Sequence, residues 1–147
     1  RVLKFRGAMR FEYQIEAGNF TNAGDASSGF KKILKQLNVD PQIIKRIVVS
    51  MYEGEVNIVA HSNGGKAICD VDTSRVLIQL IDIGPGIPDI EKAMQAGFST
   101  ASAKVREMGF GAGMGLQNIK NNSDILNIQS EVGVGTCVEI IVNLPQS

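Results

Sequence analysis

The spacing of apolar residues in the first half of the chain predicts a strand followed by two helices. Residues 11–15 alternate between apolar and polar side chains, as a strand with one buried face does. Residues 22–38 instead repeat apolar side chains at helical spacing, at Phe30, Ile33, Leu34 and Leu37. Asp40 followed by Pro41 is typical of an N-cap and a first helical residue, so a second helix is predicted to begin there. It should end near residues 62–65, where serine, asparagine and two glycines favour a turn.

The second half of the chain predicts four strands with two helices between them. Residues 67–72 and 75–82 are rich in apolar residues and are joined by a short polar turn, which indicates a hairpin. The remaining predicted elements are helices over residues 88–97 and 114–123, and strands over residues 126–131 and 136–144.

This order of elements predicts a two-layer α/β sandwich, in which a mixed, largely antiparallel sheet carries helices on one face. Residues 9–147 form a single domain in this interpretation. Residues 1–8 follow no periodicity and are interpreted as a flexible lead-in or a non-native remnant.

Composition narrows the class of protein without identifying it. The 147 residues are 44% hydrophobic and 20% charged, which is typical of a globular domain. Fifteen basic and fifteen acidic residues give no net charge, so direct nucleic-acid binding is not expected. No apolar run is long enough to span a membrane, and no secretory pattern is present. Cys69 and Cys137 lack metal-site spacing and are predicted to be reduced core residues of a cytoplasmic protein, with a disulfide between neighbouring strands as the alternative.

Three polar residues on the second helix are the first candidates for chemistry. Glu53, Asn57 and His61 are four residues apart, so they line one stripe of the helix. An amide oxygen can ligate a hard cation, and a carboxylate beside it can act as a base. The stripe therefore suits a magnesium nucleotide, although a solvated helix face is the alternative.

Two glycine-rich segments strengthen the nucleotide interpretation. In DIGPG at residues 82–86, Asp82 could accept a hydrogen bond from an amine such as that of adenine, whereas the alternative is an ordinary turn. In GFGAGMGL at residues 109–116, alternating glycines lead into a helix, which predicts an anion site and a mobile lid. Neither segment is a P-loop, because the only Gly-Lys pair, at residues 65–66, is followed by alanine. The dinucleotide fingerprint also fails in both.

These segments together resemble the histidine-kinase-like ATPases, the GHKL superfamily with the Bergerat fold. EGEVNIVAH at residues 53–61 resembles the N box, and the two glycine segments resemble the first and second glycine boxes. GVGT at residues 133–136 resembles the closing element. The short chain and the phrase AGFST at residues 96–100 are similar to the bacterial anti-sigma factor and stress-switch serine protein kinases.

The resemblance implies roles for individual residues. Asn57 would ligate Mg²⁺ and Glu53 would be the general base, whereas His61 would be structural or catalytic. Asp82 would bind the adenine amine, with Thr136 nearby. The other residues implied to bind the nucleotide are Gly84, Gly86, Thr100, Arg106, Gly109, Gly111, Gly113, Gly115 and Leu116, with Lys104 a poorer candidate for the phosphates than Arg106.

The resemblance also implies an activity: an ATP- and magnesium-dependent serine/threonine kinase that phosphorylates or sequesters a small partner. That partner would be a STAS-type anti-anti-sigma protein or a sigma factor, and a homodimer formed through the early strand and helix is also implied. Two alternatives stay open, a non-catalytic nucleotide-gated switch and a detached ATP-binding domain of a histidine kinase. One departure is Gly54, which costs about 1 kcal/mol of helix propensity inside the N-box helix.

Overall fold

The computed structural model of the protein describes residues 8–95 and 115–146, which form four helices and five strands. The strands are β1 (Met9–Ile15), β2 (Gly65–Val71), β3 (Arg75–Asp82), β4 (Ile125–Glu131) and β5 (Gly135–Asn143). The helices are α1 (Asp25–Gln36), α2 (Pro41–His61), α3 (Ile90–Ala93) and α4 (Gly115–Asn122).

The five strands form one sheet in the order β1-β2-β3-β5-β4. Each of its four pairings is antiparallel, so the two-layer α/β prediction is confirmed, with an antiparallel sheet where a mixed one was expected. Helix α1 packs against β1, α2 packs against β3 and β5, and α4 packs against both α2 and β4. The helices therefore cover one face of the sheet, as the sequence predicts.

The core lies between α1, α2 and the covered face of the sheet. Along β3, Val76, Ile78 and Leu80 are buried, whereas the residues between them are half-buried, which is the two-residue period of a strand. Phe30 of α1 and Met51 of α2 are completely buried against them. This packing holds α2 in a fixed position over the sheet.

Gly54 permits the close approach of α2 to β3. A Cβ atom at this position would collide with the Cδ1 atom of Leu80. The glycine that weakens the helix by propensity is therefore required by packing, which the sequence pattern does not reveal.

The helix ends follow the sequence closely, except at α3. Asp40 caps α2, because its Oδ1 accepts a hydrogen bond from the backbone N–H of Gln42 at 2.8 Å. Asn38 has a φ of 56° and occupies the left-handed position of a Schellman motif after α1, in which the Val39 N–H donates to the Leu34 carbonyl. Of the helix predicted over residues 88–97, the described part, residues 88–95, is helical only over α3, which begins after the Asp89 cap, and residues 96–97 lie outside the described residues.

The two cysteines are free thiols on strands that are not neighbours, since β3 separates β2 from β5. The alternative of a disulfide between neighbouring strands is therefore wrong. Burial raises the pKa of the Cys69 thiol to about 12. Among residues 8–95 and 115–146, no helix combines the length and apolar character needed to cross a membrane.

Candidate nucleotide-binding and catalytic site

The polar stripe of α2 faces the first turn of α4. Glu53 and Asn57 are half-buried, and a Cβ atom on Gly115 would lie 3.2 Å from Glu53 Oε2 and from both terminal atoms of the Asn57 amide. The side chain of Asn118, one turn into α4, donates a long hydrogen bond of 3.5 Å to Glu53 Oε1. Gly115 therefore lets the start of α4 sit directly over the two residues that the sequence singles out.

Glu53 and Asn57 offer oxygen atoms to a metal ion but do not enclose it. Within the described part of the chain, no group of three or more His, Cys, Asp or Glu side chains is placed to hold a metal ion. Magnesium does not need such a cage, since it keeps several waters and is usually held by one or two protein oxygens together with phosphates. The Asn57 amide and the Glu53 carboxylate fit that requirement, with the N-terminal end of α4 beside them as a favourable place for negative charge.

Asp82 ends β3 and faces the turn before β5. Its Oδ1 accepts the backbone N–H of Thr136 at 3.1 Å, and in the described residues its second carboxylate oxygen has no hydrogen-bond partner. Burial raises the pKa of Asp82, and the Thr136 hydrogen bond offsets part of that rise. A half-buried carboxylate oxygen with no partner is suited to accept an N–H from a ligand.

The glycine turn after Asp82 packs against the glycine turn before β5. Gly84 N–H donates to the Val134 carbonyl at 3.0 Å, and Gly133 N–H donates to the Pro85 carbonyl at 2.9 Å. Gly86 has a φ of 75°, and a Cβ there would lie 2.5 Å from the Glu131 carbonyl oxygen. The first glycine segment and the closing GVGT element therefore form one rigid unit, although about fifty residues separate them in sequence.

Ser130 links this unit together and was not among the residues predicted from the sequence. Its Oγ accepts the Ile87 N–H at 2.7 Å and lies 3.2 Å from the Gly135 carbonyl oxygen and 2.8 Å from Thr136 Oγ1. The hydroxyl has one proton, so when it donates to Gly135 the Thr136 hydroxyl must donate to Ser130. Thr136 then presents only lone pairs to a ligand. The three-dimensional register of β4 and β5 creates this contact, and no local motif indicated it.

Glu55 is a second functional group that the sequence did not indicate. It is only 2% exposed, and its carboxylate accepts hydrogen bonds from the backbone of Gly24, Ala26 and Ser27 and from Ser27 Oγ, at 2.6–3.1 Å. It thus caps the N-terminus of α1 from the middle of α2. Because it lies between Glu53 and Asn57 in sequence, this cap fixes the rotation of the helix that presents them.

The remaining predicted site residues differ in what the structure says of them. The side chain of Leu116 is 9% exposed and belongs to the core, and His61 is a half-buried residue in the last turn of α2. Ser62 follows His61 and closes the helix, since its Oγ donates to the Ile58 carbonyl and accepts the Gly64 N–H. The predictions that lie outside the described residues are Thr100, Lys104, Arg106, Gly109, Gly111, Gly113 and the AGFST phrase.

Comparison with protein families matches residues 41–146 to the histidine kinase-, DNA gyrase B- and HSP90-like ATPases. The chain belongs to this family. The match begins at the first residue of α2 and ends after β5, so it contains both the Glu53–Asn57 pair and the Asp82–Thr136 pair. The family resemblance and the use of ATP that the sequence predicts are confirmed.

Known relatives point to the same subgroup as the sequence does. The chain is 30% identical to the serine/threonine-protein kinase RsbT of Bacillus subtilis (strain 168), over 76% of this chain and 80% of the relative. It is 31% identical to the anti-sigma F factor of Caldanaerobacter subterraneus subsp. tengcongensis, over 94% of each chain. The structure is also similar to the mycobacterial sensor histidine kinase MprB, with a TM-score of 0.54, 16% identity and coverage of 95% of this chain and 100% of that one. That last likeness concerns the fold alone.

Proposed function

We propose that this protein is an ATP-dependent serine/threonine protein kinase of the anti-sigma-factor type. The observation that carries the proposal is the placement of Glu53 and Asn57 side by side beneath the first turn of α4. The relatives named as a serine/threonine-protein kinase and as anti-sigma F factors support the reaction class.

Glu53 is the proposed general base. Its carboxylate would accept the proton of a serine or threonine hydroxyl, whose oxygen would form the new bond to the γ-phosphorus while ADP leaves. Asn57 would supply a protein oxygen to Mg²⁺, which neutralises charge on the phosphates when bound. The start of α4, opened by Gly115, would place backbone N–H groups toward the phosphates.

Asp82 and Thr136 are proposed to recognise the base. Asp82 would accept one N–H of the adenine amine, and the Thr136 hydroxyl would accept a hydrogen bond directly or through water. Gly84 and Gly86 would shape the pocket, because they let the turn after β3 pack closely against its neighbours. The roles of Thr100, Arg106 and the glycines at residues 109–113 stay predictions from the sequence.

The proposed protein substrate is a small regulatory partner of the STAS type, with sequestration of a sigma factor as a second activity of the same protein. A homodimer and a cytoplasmic location complete the proposal. The free cysteines support the location, since they suit a reducing compartment, and the homodimer is proposed from the family resemblance.

The decisive experiment combines nucleotide titration with phosphate transfer. Calorimetric titration of ATP and ADP with and without Mg²⁺ should give magnesium-enhanced binding that Asn57→Ala abolishes. Transfer of radiolabelled phosphate from ATP to a STAS-type partner should then require Glu53, while Glu139→Gln, on the face of β5 away from the core, should behave as wild type. Binding of ATP without transfer to any serine or threonine would reduce the protein to a nucleotide-gated binding module.

A further inference from the structure

A groove separate from the nucleotide site runs between the end of α1 and the start of α2. Its volume is about 670 Å³. Its floor is apolar, and its rim is polar and basic. The residues on which the argument rests are Val39, Ile44 and Val48 on the floor, and Lys31, Lys35 and Lys45 on the rim.

The rim lysines have no acidic partner in the described part of the chain. The ion pairs of Arg10 with Asp70 and of Arg46 with Asp124 do not involve the groove. The single carboxylate that lines the groove, Asp40, accepts the N–H of Gln42 as the cap of α2. The three ammonium groups therefore form no ion pair, and with Asp40 included the charged side chains that line the groove sum to about +2.

The surrounding sequence concentrates positive charge in a chain that is neutral overall. Residues 26–52 contain five basic residues and one acidic residue: Lys31, Lys32, Lys35, Lys45 and Arg46 against Asp40. Lys35 lies in the last turn of α1, where a cation is favourable for helix stability. Lys45 is the fifth residue of α2, beyond the first turn, so the helix dipole does not account for a cation there.

We propose that this groove binds an acidic amphipathic segment of a partner protein. Carboxylates of the segment would pair with the rim lysines, and one or two apolar side chains would enter between them onto Val39 and Val48, which are half-buried in the free protein. A concave apolar floor favours a peptide over nucleic acid, since phosphate backbones bind through charge and have no apolar group to insert.

The groove lies on the same helix as the candidate catalytic pair but nearer the start of that helix. Ile44 on its floor is nine residues from Glu53, about 14 Å along the axis, whereas Val49, the lining residue nearest to Glu53, is four residues from it, about 6 Å. None of the described residues proposed to bind the nucleotide lines the groove, so binding to the groove can be tested without ATP.

The test uses two fluorescein-labelled helical peptides of about 15 residues, long enough to hold partial helix. The first carries glutamates around leucines at positions i, i+4 and i+7, and the second has those leucines replaced by serine. Fluorescence anisotropy should show that the leucine peptide binds the wild-type protein. It should bind at least about tenfold more weakly to the triple variant Lys31→Glu, Lys35→Glu, Lys45→Glu. The matched control is Lys32→Glu, an exposed lysine of α1 outside the groove, which should change affinity less than about twofold.

Several results would overturn the proposal. The proposal is wrong if the leucine peptide does not bind, or if it binds the triple variant as tightly as it binds wild type. It is also wrong if the serine peptide binds as tightly as the leucine peptide, because binding would then depend on charge attraction alone. A single-stranded oligonucleotide or a phosphatidylserine vesicle that bound more tightly through the same three lysines would also overturn it. Circular dichroism and thermal unfolding verify that each variant is folded, and the titrations are done without nucleotide so that failure of the kinase proposal has no effect on them.

Discussion

The two ends of the proposed nucleotide site differ in how many hydrogen bonds hold their side chains in place. At the base end, Asp82 and Thr136 are joined by a 3.1 Å hydrogen bond, and Ser130 ties them to both glycine turns. At the phosphate end, Glu53 receives one hydrogen bond of 3.5 Å, and Asn57 has no hydrogen-bond partner among the described residues. The proposed site therefore joins a base end held by several hydrogen bonds to a phosphate end whose two polar side chains are positioned mainly by their helix.

On the proposed assignment, this difference places nucleotide recognition and phosphate transfer at separate ends of the site. Hydrogen bonds fixed before binding lower the entropy lost when the base is bound, so the base end should govern affinity. Groups with unused hydrogen-bonding capacity can take up ligands, substrate and proton, so the phosphate end should govern the rate of transfer. The division makes separable predictions for the two ends.

The largest effect should come from the phosphate end. Glu53→Gln removes the proposed base and keeps the size of the side chain, so we expect phosphate transfer to fall about 10²- to 10⁴-fold. ATP affinity should change less than about threefold. Single-turnover transfer and calorimetry measure the two quantities separately. A parallel loss of affinity and rate would mean that the two ends are not divided as described.

Asp82→Asn should have the next largest effect, this time on affinity. The amide oxygen can keep the Thr136 N–H bond, but the NH₂ group would face the adenine amine, so ATP should bind about tenfold to a hundredfold more weakly. The rate of transfer at saturating ATP should change little. An unchanged dissociation constant for ATP would exclude Asp82 from base recognition.

The same carboxylate predicts a pH dependence of binding. Because the pKa of Asp82 is raised by burial, its protonation begins at a higher pH than for an ordinary aspartate. A protonated carboxyl loses its role as an acceptor, so ATP affinity should fall as the pH drops through the raised pKa. Calorimetry across a pH series should show this fall in wild type and not in Asp82→Asn, and an identical profile in both would assign the titration elsewhere.

Ser130→Ala should have a smaller effect at the base end. It leaves the Ile87 N–H without its acceptor and frees the proton of the Thr136 hydroxyl. We expect ATP to bind about fivefold more weakly, from a loss of about 1 kcal/mol. Preference for ATP over GTP should also decline, because a hydroxyl that can donate suits the guanine carbonyl. Ser74→Ala, in an exposed turn, is the matched control.

The smallest expected effect is on the stability of the fold, from an ion pair that lies outside both ends of the nucleotide site. Arg46 pairs with Asp124 at 2.9 Å, where both side chains are about one-third exposed, so Arg46→Met should lower the free energy of unfolding by about 0.5 kcal/mol. The pKa of Asp124 is lowered, first by the Asn143 N–H and then by Arg46. Its stabilising contribution is therefore present above its unfolded pKa and is lost as the pH falls through the native one. Urea denaturation across a pH series should show the full difference at pH 7 and its loss toward the acid end, below the unfolded pKa, and this variant should leave ATP binding intact.

Local patterns in the sequence were enough for the elements and for the motif residues. The Asp40–Pro41 start of α2, the Glu53–Asn57 stripe and the hairpin of β2 and β3 all depend on neighbouring residues, so their positions could be predicted. The reason for a glycine at position 54 could not be predicted from the sequence, because it is the close contact with Leu80, which belongs to another element. Ser130 was missed for the same reason: its partners come from two turns and a neighbouring strand that only the folded sheet brings together.

Glu55 has a consequence for the order of folding. Glu55 caps the N-terminus of α1, although it lies 28 to 31 positions further along the chain than the residues that it caps. The first turn of α1 therefore has no side-chain cap until α2 has docked. Closing a loop of that length costs entropy before the hydrogen bonds are gained. We therefore expect a low φ-value at Glu55, with its replacement speeding unfolding far more than it slows folding. In hydrogen exchange, the start of α1 and the middle of α2 should then open as one cooperative unit.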